Sequence, residues 1–270
     1  MPYLSRIRIN PLRAESRRYL ANPHTVHGAV MGGLPSSATT DRPLWRIDAN
    51  DPYRPQLIVL TRSRPDWSHI VEQAGWPDAE GEHAVIRDYA PLLALITPGR
   101  EFAFRLTANP VQNSASPTSP TPAQRKRIAA EQNPARRRGF RLAHSTAAAQ
   151  LHWFLRRTER WGFEVPTSRT APPAQGLETP SVTTPVGGGR TVTQAPPIAA
   201  DSVPREVRIT AHHRRSFAKK QGAQVVIHTV TYEGRLQVTD GEVLVRHLLN
   251  GIGPAKAYGC GLLTLAPIKN

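Results

Sequence analysis

Apolar and polar positions alternate from Tyr3 to Ile9, which predicts a strand. Leu12–Leu20 then reads as a short helix with Pro11 in its first turn and Arg13, Arg17 and Arg18 on a basic face. A loop through His24 and His27 is expected next. Pro43–Asp48 and Gln56–Thr61 read as two antiparallel strands joined by the polar, turn-rich Ala49–Pro55. Ile86–Ile96 reads as a weaker helix, and Glu101–Ala108 alternates Phe102, Phe104 and Leu106 with Arg105 and Thr107 as a half-buried strand should. The resulting order, β-α-β-β-α-β, is the ferredoxin-like motif.

The pattern breaks at NSASPTSPTP, Asn113–Pro122, a tract with too little apolar surface to offset the ordering of its backbone. A first domain is therefore expected over 1–112 and a Pro/Ser/Arg-rich linker over 113–144. The second domain, 145–270, opens with a predicted helix from Ser145 to Trp161 that places Leu151, Phe154, Leu155 and Thr158 on one face. Pro166–Pro204 holds eight prolines and the triplet Gly187–Gly189 and is expected to be a disordered insertion. Glu206–Ala211 and Val225–Val238 read as strands around a basic tip, HHRRSFAKKQG, at His212–Gly222. A helix follows, with Thr239 and Glu242 spaced as a capping box, Leu244 and Leu248 one turn apart, and Gly251 to stop it. Leu262–Leu265 makes a last strand. The expected fold class is α+β: two tandem ferredoxin-like (βαββαβ) domains with antiparallel sheets.

Charge adds a partner to this picture. The formal net charge is +15 and the isoelectric point about 11.0, which implies a polyanion, because clustered Lys and Arg release counterions from phosphates. Residues 1–112 carry 13 Lys+Arg against 11 Asp+Glu, and residues 113–270 carry 22 against 9, so the electrostatic footprint lies in the second half. No run of about 20 apolar residues and no signal-peptide pattern is present, so no membrane partner and a cytoplasmic location are expected. Cys260 is the only cysteine, which rules out an internal disulfide and a cysteine-based zinc site.

Three features can carry chemistry. In GIGPAKAYGCGLL, Gly251, Gly253, Gly259 and Gly261 allow close backbone approach to a ligand and Lys256 offers a charge to phosphate. The segment lacks the spacing of a nucleotide-triphosphate loop, and the plain alternative is a helix cap followed by a tight turn. Arg214, Arg215, Lys219 and Lys220, with Arg208 behind them, form a basic hairpin suited to the charge and shape of an A-form RNA stem. Arg125–Arg127 and Arg136–Arg138 are further basic runs. Phe217 can stack on a base or anchor the turn. His24 and His27 supply imidazoles, which titrate near neutral pH and suit proton transfer; a lone loop histidine is more often a packing or surface residue. With no acid or cysteine close in sequence, the pair is not expected to hold a metal.

The helix followed by GIGPAKAYGCGLLTLAPI resembles the glycine-rich signature of the RAMP superfamily of CRISPR-associated RNA-binding proteins, in particular its CasE (type I-E) branch. YLSRIRINP at the start, NPHTVHGAVMGGLP at Asn22–Pro35, FRLTANPV at Phe104–Val111 and YEGRLQVTD at Tyr232–Asp240 agree in order and spacing. The resemblance implies a metal-independent endoribonuclease without cofactor. Such an enzyme binds the stem-loop of a CRISPR repeat, cuts at the base of the stem by 2′-hydroxyl attack, and leaves a 2′,3′-cyclic phosphate and a 5′-hydroxyl. His27 falls on the family's catalytic histidine. His24 stands where relatives have a tyrosine, which implies a role in orienting His27 or the phosphate rather than in proton transfer. Arg18, Lys256 or backbone N–H groups are then candidates to meet the charge of the transition state. The implied partners are repeat RNA and the other subunits of the type I-E surveillance complex, with the free protein monomeric. A non-catalytic RNA-binding scaffold subunit of a CRISPR ribonucleoprotein is the alternative, separated from the first reading by the His27 segment alone. A generic basic DNA-binding protein would leave both His27 and the glycine loop unexplained.

Overall fold

A computed structural model describes residues 1–35, 42–77, 79–114, 120, 122–130, 139–168, 204–218 and 224–268. Most of the proline-rich stretch after Pro166, together with Lys219, Lys220 and Arg136–Arg138, lies outside the described residues.

The first unit runs β1 (Tyr3–Arg8), α1 (Ala14–Ala21), α2 (Pro23–Gly32), β2 (Leu44–Asp48), β3 (Gln56–Thr61), α3 (Ser68–Ala74), β4 (Ala84–Asp88) and α4 (Ala90–Leu93). Its antiparallel sheet has the order β2-β3-β1-β4. Ile7, Leu57, Val59 and Trp45 point to one face and pack with Val26 and Val30 of α2 and Ile70 of α3. The end of the other face that holds Leu4, Leu44 and Leu60 meets the second unit.

The second unit runs β5 (Glu101–Ala108), β6 (Val111–Ser114), α5 (Pro122–Ala130), β7 (Phe140–Ala143), α6 (Ala147–Leu155), β8 (Phe163–Glu164), β9 (Val207–Ala218), β10 (Gln224–Val238), α7 (Gly241–Asn250) and β11 (Leu263–Pro267). Its sheet is ordered β11-β5-β10-β8, with β9 beside β10. Strands one, two, three and four of the repeated motif are thus β1, β2, β3, β4 and β5, β8, β10, β11, and both sheets share one ferredoxin-like order. Phe154 of α6 anchors the second core, stacked on Tyr232 at 4.6 Å and on Phe104 at 5.6 Å.

Several expectations change. Glu101–Ala108 is a strand, but it pairs with β10 and β11 of the second sheet; the fourth strand of the first unit is β4. The predicted helix over Ile86–Ile96 is instead the end of β4 plus the single turn of α4, because Pro91 is tolerated only in a first turn and blocks a helix passing through it. Helix α3 was not foreseen. The stretch read as a linker contains α5 and the pair β6–β7. The helix expected over Ser145–Trp161 ends at Leu155 and is followed by a 3-10 turn at Glu159–Trp161; of the expected face Phe154 and Thr158 are buried and Leu151 and Leu155 partly so, and Gln150 and Trp153 are buried besides. Asp240, not Thr239, caps α7: its Oδ1 accepts from Val243 N at 3.0 Å. The basic tip is also more regular than expected, since His212–Ala218 continue β9 as strand against β10.

The seam between the units is closed by Leu44, Leu60, Tyr89 and Leu262 and by one buried guanidinium. Arg46 of β2 is 4 % exposed. Its Nε and Nη2 donate to both oxygens of Asp48 at 2.6 and 2.9 Å. Nη1 donates to the carbonyls of Arg105 and Leu262 at 3.2 and 3.1 Å, and Nη2 to Thr264 Oγ1 at 3.0 Å. The last three acceptors belong to β5 and β11 or their approach. Arg105 extends the chain of charge, reaching Asp48 at 3.2 Å on one side and Glu233 on the other.

Arg46→Ala removes all five of these hydrogen bonds and leaves Asp48 to Arg105 alone. It is expected to lower the free energy of unfolding by about 3–5 kcal/mol, the scale for breaking one partner out of a buried pair. Arg46→Lys keeps the charge but not the fork and should fall between wild type and Arg46→Ala. Urea denaturation of the three proteins checks both statements.

Candidate active site and nucleic-acid interface

The histidines do not sit in a loop. Asn22 closes α1 with its N–H on Arg18 O at 2.9 Å, and its side chain opens α2 by accepting from His24 N at 2.9 Å. Pro23 takes the first helical position. The Asn-Pro pair that reads as loop punctuation is therefore a corner between two helices. Pro23, Val26 and Val30 are buried, while Gly28 is exposed with open space above it. His24 and His27, three apart, share one side of the helix.

His27 is half-buried, and its Nδ1 is enclosed without a hydrogen-bond partner among the described residues. Burial, and then the neighbouring His24, hold its pKa below the ordinary 6.5. At neutral pH the ring is uncharged. With Nδ1 enclosed, Nε2 is the nitrogen left for proton transfer.

Helix α2 packs beside the 3-10 turn Lys256–Tyr258 of the second unit, inside the glycine loop. Gly251 and Gly259 have φ of 76° and 81°. A Cβ on Gly251 would lie 2.6 Å from Leu44 Cδ2, and one on Gly259 2.8 Å from the ring of Trp45. Gly261 is closed in the same way by the carbonyl of Ile252. These three glycines are buried and are filled against protein rather than held open to a ligand; Gly253 alone of the four is exposed. Lys256 Nζ donates to Asn250 O at 2.6 Å, tying the C-terminal end of α7. Burial and Arg42 lower its pKa. An ammonium has three donors, so this bond leaves two for another acceptor. Cys260 is fully buried and its thiol is pushed up to about 12 by burial.

The hairpin β9–β10 docks on the same corner. Arg215 is half-buried and donates to Leu20 O of α1 at 3.5 Å. Phe217 is buried, its ring edge-on to Tyr258 at 5.0 Å. Both act as anchors, which settles Phe217 as a packing residue. Arg214 is exposed on the opposite face of the strand, across from His228. Arg208 is 78 % exposed and loosely paired with Glu233 at 3.4 Å. Arg18, 71 % exposed, pairs with Glu15 at 2.8 Å. Among the expected RNA contacts, Arg18, Arg208 and Arg214 thus present charge to solvent, while Arg215 and the three buried glycines shape the site. Arg125 and Lys126 lie on the exposed side of α5.

Sequence reading missed the imidazoles of the hairpin: His212 and His228 lie ring against ring at 6.1 Å, and His213 points with Arg215. The contact of His212 with His228 is a diagonal cross-strand one, fixed by the register of β9 on β10. Sequence reading also missed Arg46 and Tyr258. Among the described residues, no group of three or more His, Cys, Asp or Glu gathers as metal ligands would.

Burial lowers the pKa of His27, His144, His213, His228 and His247 alike. Each binds a proton more readily unfolded than folded, so the fold should lose stability as pH drops from about 6.5 through the lower folded values. Urea midpoints at pH 7.5 and 5.5 are expected to show the lower value at pH 5.5. In NMR titration His27 should titrate below 6.5 and move upward in His24→Ala.

A family model described as "CRISPR associated protein" matches residues 2–267. The CRISPR-associated endoribonuclease Cse3 of Thermus thermophilus is 28% identical over 268 residues, 98% of this chain and 100% of that protein. A solved structure of a CRISPR endoribonuclease Cse3 bound to 19-nucleotide RNA superposes with a TM-score of 0.65 at 25% identity, covering 98% of this chain and 100% of that one. Thermus thermophilus Cse3 bound to an RNA representing a pre-cleavage complex gives 0.63 at 26%, covering 98% and 99%.

Proposed function

We propose, from the premise that the chain belongs to the CRISPR-associated protein family, that it is an endoribonuclease that processes CRISPR repeat RNA. It binds the repeat stem-loop, cuts at the base of the stem, and stays on the product as a subunit of a type I-E surveillance complex. Full-length likeness to an endoribonuclease and to RNA-bound relatives supports the activity. The observation that carries it is the seat of His27: an uncharged imidazole with an enclosed Nδ1, on the helix that packs beside the glycine-loop turn and directly follows α1, on which the basic hairpin docks.

Each group has a role in the reaction. Arg208 and Arg214 on the hairpin and Arg18 on α1 hold phosphates of the stem, whose deep, narrow major groove is met by charge and shape rather than by base edges. His27 Nε2 takes the proton of the ribose 2′-hydroxyl. The 2′-oxygen attacks the adjacent phosphorus, the bond to the 5′-oxygen breaks, and that oxygen takes up a proton. The products are a 2′,3′-cyclic phosphate and a 5′-hydroxyl. Because the nucleophile belongs to the RNA itself, the step calls for no metal-activated water. His24, one turn away, orients the phosphate or supplies the proton of the leaving group. The remaining donors of Lys256 and the exposed backbone at Gly253 meet the developing negative charge.

Purified protein is expected to cut its cognate repeat RNA in EDTA. His27→Ala should lower the single-turnover rate by about 10²–10⁴-fold while leaving binding intact, and a 2′-deoxy substitution at the scissile nucleotide should abolish cleavage with the same binding. Because the base works unprotonated, the rate should stay level below 6.5 until pH reaches the lowered pKa of His27, then fall. Tight binding with no scission would instead identify a scaffold subunit.

A further inference from the structure

The face of the first sheet away from its helices carries a basic groove that takes no part in the site above. Along β1, Ser5 and Ile7 are buried toward the helices, so Leu4, Arg6 and Arg8 occupy the opposite face. Gln56 and Ile58 of β3 stand beside Arg8 and Arg6. Between this face, the β2–β3 turn and the segment after α3 lies a groove of about 800 Å³ lined by Arg6, Arg8, Arg54, Gln56, Tyr53 and Trp76. A second hollow of about 440 Å³ shares Arg6, adds Arg87 over the apolar floor of Leu4, Ile58 and Val85, and reaches Thr264 of β11. The two make one track from Trp76 to the seam with the second unit.

Its chemistry is specific. Arg6, Arg8, Arg54 and Arg87 form no ion pair among the described residues. Among the described residues, Glu82 and Asp48 are the acids lining the track, and Asp48 is already held by Arg46 and Arg105. Tyr53 is 79 % exposed, a large aromatic side chain in open solvent at the mouth of a cationic groove. An RNA duplex offers such a ring nothing to stack on, because its bases are covered. An acidic peptide would engage the arginines but leave the aromatic rings without a role. A strand with unpaired bases uses both: phosphates on the guanidinium groups, bases on the rings.

We propose that this groove is a second RNA site, which holds the single-stranded segment flanking the stem-loop and leads it along β1 toward the seam. The identity of the strand as repeat-flanking RNA rests on the RNA-processing reading above. The groove itself is tested without it.

The probe is a fluorescent 12-nucleotide oligoadenylate, compared with an abasic ribose-phosphate 12-mer, on the wild-type protein, the double variant Arg6→Ala/Arg54→Ala and Tyr53→Ala. Wild type should bind the oligoadenylate about tenfold tighter than the abasic strand, and Tyr53→Ala should lose most of that difference. The double variant should show a shallower fall of log affinity with log salt, by about 1.4, for two phosphate contacts at about 0.7 each. All three proteins should cut an isolated repeat stem-loop at the same rate. Unchanged oligoadenylate binding in the variants, equal binding of the abasic strand, or slowed cutting of the isolated stem-loop would each overturn the proposal. Failure of wild type to cut the stem-loop would sink the processing function instead and leave the oligoadenylate result standing on its own.

Discussion

The guanidinium of Arg46 is the constraint on which the arrangement of the molecule depends. It is nearly dry, carries five donors, and has each of them satisfied, two by its own strand through Asp48 and three by β5, Leu262 and Thr264 across the seam. A leucine-lined contact between two sheets can slide, because apolar burial has no direction. A buried fork with fixed acceptors cannot, because any displacement leaves donors and carbonyls unpaired at about 1–3 kcal/mol apiece. Arg105, tied to Asp48 and Glu233, repeats the device one strand further on. The register between the units is thereby set by polar bonds and the adhesion by Leu44, Leu60 and Leu262.

That register brings together two halves of very unequal charge. The His27 helix belongs to the nearly neutral half and the hairpin to the strongly basic one. A histidine embedded among many cations would be held even further from protonation and would compete poorly with them for space around a phosphate. The imidazoles of His24 and His27 stand on α2, whereas the exposed guanidinium groups of Arg208 and Arg214 stand on β9. The anchors Arg215 and Phe217 then bring the hairpin down on α1 and Tyr258. The lowered pKa of His27 comes from burial and from His24 rather than from arginine.

The parts of this fold legible in the sequence are those where local pattern and tertiary role coincide. Gln56–Thr61, Glu101–Ala108 and the Leu244/Leu248 stripe each announce their element and their buried face. What the pattern does not carry is partnership. Glu101–Ala108 alternates identically whether it closes the first sheet or opens the second, so periodicity could not assign it. Asn22-Pro23 signals a chain reversal equally well for a loop or for two helices meeting at one capping residue. Along β9, charge masked strand character, since basic residues on both faces of a projecting hairpin suppress the apolar alternation by which strands are recognised. Arg46 reads as an ordinary polar position in a strand; its burial arises only when a second domain covers it.

The glycine loop shows how a motif can point to the right place for the wrong reason. Four glycines beside a lysine suggest backbone opened toward a phosphate. In the fold, Gly251, Gly259 and Gly261 are small because Leu44, Trp45 and the Ile252 backbone occupy the space a side chain would need, and Lys256 spends one bond on the end of α7. The glycines let the loop lie flat on β2 at Leu44 and Trp45, just before Arg46, and so they belong to the same seam as the guanidinium. Close approach is the property they supply, but the surface approached is the first domain. Only with the loop pressed against β2 does the turn at Lys256–Tyr258 stand beside α2, the helix that carries His24 and His27.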